Sequence, residues 1–359
     1  MRWRLFLLAF LAAASPCLAR VYPIQGTFLN FYRDLTPELW KLEFQYMKDV
    51  DIDTVVLLSV GHLRPDSNDA SGYSLAPDGC LYPSRYLMGR YLAASDRSSK
   101  DRLEMVFSLA DQQRMKVYVG SLQTATDWTD GREFAALRAY NRLVAAEIRE
   151  RYGHHPSFQG WYFTQELWMN WVKYYGRGYY GTGQLANWAA DMRSIDSTKL
   201  TAATVVVKAR GQGSMPGLTA SELRTWTTSL VRTTKLDILM PQDGAGAGAG
   251  APSIGDLPDY FAAMAAGVRA GATKTSLWSI VETFTADCSP SGEQYPPANI
   301  SRIRRQISQV RPYVTGYVSW IFGDDLSPQA RYYPAEASEL NRQYKLSFGP
   351  VRSHERSGL

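Results

Sequence analysis

From Tyr22 to Phe322 the chain repeats one pattern: a short apolar run, a polar break, then a stretch with apolar residues at helical spacing. The runs are YPIQGTFLN from Tyr22, DTVVLLSV from Asp53, KVYVGS from Lys116 and SFQGWYFTQE from Ser157. LTAATVVV from Leu200, LDILMPQD from Leu236, TSLWSIVE from Thr275 and GYVSWIF from Gly316 complete the set. Between them, TPELWKLEFQYMKDV and DGREFAALRAYNRLVAAEIRERYG carry helical spacing, and the second has an acidic start and a glycine near its end. Strands that alternate with helices build a mainly parallel sheet, since a parallel neighbour is reached only by a crossover. Eight such units predict a single-domain α/β fold, the (β/α)8 TIM barrel. The competing arrangement is a doubly wound open sheet, but no dinucleotide glycine fingerprint follows the first strand.

Two interruptions stand out. Residues 61–100 read as a long polar loop after the second strand, folded over one barrel end. Residues 244–251, GAGAGAGA, follow the sixth strand; a linker is one reading, and a pliable loop near a ligand is the one their position favours.

The N-terminus sets the compartment. MRWRLFLLAFLAAASPCLA has Arg2 and Arg4 before an apolar stretch and a small-residue cut after Ala19, the pattern of a signal peptide. A retained membrane anchor is the alternative, and a lipoprotein site at Cys17 is opposed by Pro16. The expected organisation is therefore a signal over residues 1–19, a barrel over 20–347 and a tail over 348–359, in a periplasmic or secreted protein. No other segment is long and apolar enough to cross a bilayer. Removing Arg2 and Arg4 takes the net charge from +5 to +3, without runs of like charge that would suggest nucleic acid. RIRRQ, Arg302 to Gln306, reads as the solvent face of a helix. Cys80 and Cys288 remain after the cut, free to pair or not in an oxidising compartment.

In a barrel of this kind, reacting groups come from the carboxyl ends of the strands. Glu166, within GWYFTQELWMNW, closes the fourth run, and Glu282 closes the seventh. Two opposed carboxyl groups across a barrel mouth are the equipment of glycoside hydrolysis: one protonates the leaving oxygen, the other attacks or activates water. Gln25, Gln165, Asn170, Trp171, Gln242, Asp243, Trp278 and Trp320 are the expected sugar contacts. Trp168, Tyr174, Tyr175, Tyr179 and Tyr180 add flat faces, in keeping with an aromatic content of 13%. The structural reading of the same residues is ion pairing for the acids and packing for the aromatics. Other chemistries lack their patterns. There are four histidines and no HExxH, with His154 and His155 read as a helix end; GxSxG and Walker sequences are missing too. No metal ligand and no cofactor is expected.

Four segments in order, GWYFTQELWMNW, LDILMPQDGAGAG, LWSIVETF and GYVSWIFGDDLSP, resemble a bacterial family of glycosidase-like TIM-barrel domains of unknown function. The resemblance implies an exported glycoside-hydrolase barrel. It also looks like the broad clan of retaining glycosidases, which places the acid/base at Glu166 and the nucleophile at Glu282. That clan has Asn before the acid, where this chain has Gln165. The expected function is cleavage of a bacterial exopolysaccharide or envelope glycan. The alternatives are a catalytically silent glycan-binding barrel in polysaccharide export or assembly, and a deacetylase or lyase on the same scaffold. Sugar, linkage, stereochemical outcome and oligomeric state stay open at this point.

Overall fold

Main-chain amides and carbonyls of eight segments pair in a closed ring, each strand beside its sequence neighbour. The computed structural model describes residues 22–30, 35–65, 75–87, 90–91, 101–124, 131–170, 181–207, 217–247, 252–289 and 292–349. The parallel strands are β1 (Gly26–Leu29), β2 (Thr54–Leu57), β3 (Lys116–Gly120) and β4 (Phe158–Trp168). β5 (Leu200–Val206), β6 (Ile238–Pro241), β7 (Ser276–Val281) and β8 (Gly316–Ile321) follow, and β8 closes the ring on β1 through Gly26 and Val318. In turn after the strands come the helices α1 (Pro37–Lys48), α2 (Arg102–Gln113), α3 (Gly131–Tyr152) and α4 (Gly181–Ile195). α5 (Ala220–Thr234), α6 (Leu257–Gly271), α7 (Ile300–Val310) and α8 (Pro334–Phe348) complete the outer layer. This is the (β/α)8 barrel that the sequence predicts; each of the eight apolar runs holds one of its strands except that β4 extends two residues past its run, to Trp168.

Local sequence explains the helix starts. Thr36 caps α1 by accepting from the Leu39 amide, with Pro37 at the first turn, where a missing N–H does no harm. Thr219 and Glu222 form a reciprocal capping box at the start of α5.

Side chains alternate across each strand and so fill two separate cores. Phe28, Val56, Tyr118, Tyr162, Ala202, Met240, Ile280 and Val318 pack inside the barrel, one or more from every strand. The opposite faces, such as Val55, Val117, Trp161 and Leu239, pack under the helices. The interior is a plugged core, so a ligand site is confined to its rim.

The segment after β2 departs from the expected loop. Gly61–Pro65, Leu75–Cys80 and Arg90–Tyr91 join Leu122–Thr124, just past β3, in a four-stranded sheet. Pro65 and Pro77 weaken its strand signal in sequence, and a register shift between His62 and Leu63 absorbs the irregularity. Cys80 is buried and unbridged, and its thiol donates to the Tyr82 carbonyl at 2.9 Å. Among the described residues no helix is long and apolar enough to cross a membrane.

Candidate active site

Glu166 sits in a distortion of β4. Phe163 and Leu167, four apart, pair with Ala203 and Val205, two apart, so the intervening residues bulge out of the ladder. Thr164 anchors the bulge to β3, its amide donating to Ser121 Oγ at 3.1 Å and its hydroxyl to the Ser121 carbonyl at 2.8 Å. Such bulges re-aim a side chain at the rim of a barrel. The half-buried Glu166 accepts a hydrogen bond at Oε1 from Gln242 Nε2, 2.6 Å away.

Gln242 follows β6 directly and continues its inward-facing series after Met240. Together with Glu282 and Trp320 it lines a cavity of about 900 Å³. Gln242 thus ties Glu166 to the cavity that holds Glu282. Trp320, near the end of β8, rests its ring 5.3 Å from that of Phe28, at the top of the barrel plug.

Glu282, the residue after β7, is 2% exposed. The glycine-alanine loop cradles it: the amide of Gly246 donates to Oε2, and the Ala247 amide also donates to the carboxylate. The loop turns at Gly244, whose φ of 68° suits glycine. A Cβ on Gly246 would lie 2.3 Å from the Phe284 carbonyl and 3.1 Å from Glu282 Oε2, so only glycine brings the amide this close.

Behind Glu282 lies Asp243, 1% exposed. Its Oδ1 accepts from the amides of Ala245 at 3.2 Å and Glu282 at 3.3 Å, and its Oδ2 accepts from Gln306 Nε2 at 2.6 Å. Gln306 also donates to the Glu282 carbonyl at 3.2 Å. Asp325, in the one-turn helix Phe322–Asp325 after β8, accepts from Thr283 Oγ1 at 2.7 Å. Arg302, on α7, donates to the Phe284 carbonyl and is the cation coupled to Asp243, Glu282 and Asp325.

Burial dominates the electrostatics. It raises the Glu282 carboxyl well above the usual carboxylate range, with the neighbouring Asp243 adding to the rise. Asp243 is raised by burial against the opposing pull of Gln306 and backbone amides. Burial also pushes Asp325 up to about 8. Arg302 is itself lowered by burial, and its Nε and Nη1 have no hydrogen-bond partner among the described residues. Three acids thus lie around one half-buried guanidinium, and burial favours the protonated form of each.

Several sequence-predicted contacts lie elsewhere. Gln165 faces away from the mouth, 4% exposed, with its amide on the Leu122 carbonyl at 3.3 Å. Asp243 likewise points outward toward α7, because it follows the inward Gln242 by one residue. Trp278 faces inward one rung below Ile280 and two below Glu282, near the floor, with Tyr118 at 6.4 Å. Gln25 precedes β1 instead of lying within it, and it meets Trp278 beside Gly316 at the amino end of the barrel. Asn170 is fully buried. Trp171, Tyr174, Tyr175, Tyr179 and Tyr180 fall outside the described residues. His155 ends as a packing residue, its Nδ1 2.6 Å from Asp111 and its Nε2 3.2 Å from Glu104.

RIRRQ is the main correction. Arg304 and Arg305 are exposed, but Gln306 is fully buried against Asp243 and Arg302 reaches the acids. The available signal was spacing: Gln306 lies on the same stripe as Ile303, Ile307 and Val310, and Arg302 is one turn before it.

Fold and mouth together define a (β/α)8 barrel with carboxyl groups at the ends of its fourth and seventh strands. A family model described as "Domain of unknown function (DUF4434)" matches residues 24–332, and the chain belongs to that family. None of the curated proteins matches the chain. Among solved structures, a candidate α-L-fucosidase from Bacteroides thetaiotaomicron VPI-5482 is similar, with TM-score 0.72, 20% identity, and 91% of this chain and 95% of that chain covered. The endo-β-1,4-mannanase of Thermotoga petrophila has TM-score 0.57 at 13% identity, covering 93% of this chain and 79% of that chain. A GH18 chitinase from Pseudoalteromonas aurantia has TM-score 0.50 at 11% identity, covering 88% and 98%. At these identities the likeness establishes the shared barrel.

Proposed function

We propose that the protein is an exported glycoside hydrolase acting on a bacterial exopolysaccharide or envelope glycan. Glu166 donates a proton to the glycosidic oxygen, Glu282 attacks the anomeric carbon, and Glu166 then takes a proton from the water that releases the sugar. The observation that carries this reading is Gln242, hydrogen-bonded to Glu166 and lining one cavity with Glu282. Glu166 is half-buried, as a residue exchanging protons with water needs to be; Glu282 is held rigidly by backbone amides, as a nucleophile aimed at one carbon needs to be. The signal-like residues 1–19 support export to the periplasm or beyond.

One observation favours the binding-only alternative. The Glu282 carboxyl is 2% exposed and burial favours its protonated form, a neutral group that suits a silent glycan-binding barrel. Screening the mature protein against bacterial polysaccharides, with products read by mass, separates the two. Hydrolysis is expected in the wild type, and Glu166→Gln and Glu282→Gln lower it by roughly 10²–10⁴-fold while glycan binding survives. Wild-type turnover in either variant removes that residue from the chemistry. Binding without turnover in the wild type leaves the silent barrel.

A further inference from the structure

The cavity continues beyond the acids, over the loops that follow β7 and β8. After β7 the chain forms an antiparallel hairpin, Asp287–Ser289 against Gly292–Gln294. Its base is fixed: the Thr285 amide donates to the Pro296 carbonyl at 2.8 Å, and the Ala286 amide donates to the Gly246 carbonyl at 2.7 Å. The second bond joins the hairpin to the loop that cradles Glu282. From the β8 side Tyr333 donates its hydroxyl to Gln294 Oε1 at 3.2 Å, so the two loops form one wall.

That wall carries Tyr295 and Tyr332, 46% and 66% exposed. Exposed large hydrophobic side chains among the described residues include several leucines but only these two aromatics, and both line the cavity that holds Glu282. Each ring is oriented by its neighbours. Phe284 meets Tyr295 edge to face at 5.4 Å, and the Arg331 guanidinium lies 5.1 Å from the Tyr332 ring centre. Two held aromatic rings on one cavity wall make a joined apolar face, which marks ligand grooves more than isolated exposed rings do. Flat π-faces match the C–H faces of pyranose rings, and their few rotatable bonds make the ordering cost of binding small.

We propose that Tyr295 and Tyr332 form a second saccharide-stacking site for a neutral pyranose ring, continuous with the ring position beside Glu282 and Trp320. The natural ligand is then a glycan chain of three or more rings, gripped on the β7–β8 side of the mouth. A cavity of about 900 Å³ holds several pyranose rings, in keeping with a chain and not with a single sugar. This deepens the proposed hydrolytic reading and rests on it for the position of the first ring.

The test uses the full mature chain bearing Glu282→Gln, which holds glycans without consuming them. Calorimetry would measure its affinity for β-1,4-linked gluco-, manno-, xylo- and N-acetylglucosamine oligosaccharides of one to six rings. The expected result is a rise in affinity with length in at least one series, up to three rings or more. Adding Tyr295→Ala and Tyr332→Ala then abolishes the rise, lowering affinity for the longer chains by roughly fivefold to tenfold, while Tyr332→Phe keeps it. An affinity that is flat with length, a rise untouched by the double substitution, or no binding in any series overturns the proposal. Its failure is distinguishable from failure of the hydrolytic reading. Length-dependent binding that needs the two tyrosines, in a wild type that cleaves nothing, leaves the stacking site standing and removes hydrolysis. Hydrolysis indifferent to the tyrosines does the reverse.

Discussion

Gln242 Nε2 lies 2.6 Å from Glu166 Oε1, and it is the contact by which the β6 end meets the bulge of β4. That hydrogen bond fixes one oxygen of the Glu166 carboxyl and so orients the group for proton transfer. Among the described residues Glu282 has no such side-chain donor; two backbone amides hold it. The two glutamates therefore sit in unlike surroundings within one mouth.

Gln242→Ala removes a hydrogen bond to a charged group on a half-buried side chain. Such bonds are worth about 1.5–3 kcal/mol, so kcat on the cleaved polysaccharide is expected to fall roughly tenfold to hundredfold. Melting temperature, measured alongside, is expected to fall by no more than a few degrees, because water in the cavity can take the place of the lost amide. An unchanged kcat would show that Glu166 does not depend on this partner.

Asp243 raises the pKa of Glu282, and Asp243→Asn tests that charge. The asparagine Oδ1 still accepts from the Glu282 and Ala245 amides. Its new amide faces Gln306, whose Oε1 has no partner among the described residues, so Gln306 can turn over and accept. A nucleophilic Glu282 must be ionised, so kcat/KM rises with pH through its raised pKa. In Asp243→Asn that rising limb moves to lower pH. A limb that falls with pH over the same range would instead make Glu282 the proton donor.

The eight strands are legible in residue order because a barrel strand is short, apolar and followed by a helix. The ends of those strands are less so. Period-2 alternation separates inward Gln242 from outward Asp243, yet it fails at β4, where the bulge between Phe163 and Leu167 breaks the period and lets tertiary pairing aim Glu166. The apolar run that begins at Tyr22 takes in Gln25, whereas β1 itself begins at Gly26. Helical spacing puts Gln306 on the buried stripe of α7 with Arg302 one turn before it, but a basic helix stretch looks solvated until an acid cluster is found beneath it. The glycine-alanine loop reads as pliable, whereas its described part is a fixed cradle whose small residues admit a carboxylate.

Stability should also depend on pH in an unusual direction. Burial pushes Asp325 from the ordinary carboxylate range up to about 8, and Asp243 and Glu282 are raised too. Between those limits the folded chain holds protons that the unfolded chain has released, so stability falls as pH rises. Glu147 and Asp196 are buried and Asp111 is half-buried, but their hydrogen bonds outweigh desolvation and lower them, so they titrate in acid, below this window. The melting temperature is expected to be several degrees higher at pH 5.5 than at pH 8.5, a choice of conditions about 3 units apart that spans the titration of the raised acids. Asp325→Asn, whose Oδ1 can still accept from Thr283, should flatten that slope. A melting temperature that climbs with pH across this range contradicts the assignment.

Gly246→Ala brings the cradle and the chemistry into one measurement. The added methyl would stand 2.3 Å from the Phe284 carbonyl, backbone that is tied through Arg302 to α7, so relief requires the loop to retreat. Retreat lengthens the Gly246 amide contact to Glu282 and loosens the Ala286 amide bond to the Gly246 carbonyl. Overpacking of this kind costs about 1–3 kcal/mol, visible as a lower melting temperature. The larger effect falls on catalysis, because a carboxylate that loses a backbone donor is both harder to ionise and less well aimed. The expected signature is a pH profile whose rising limb moves to higher pH, opposite in direction to that of Asp243→Asn. If Gly246→Ala lowers the melting temperature and leaves both kcat and the profile intact, the loop is a structural spacer and Glu282 takes its position from β7 alone.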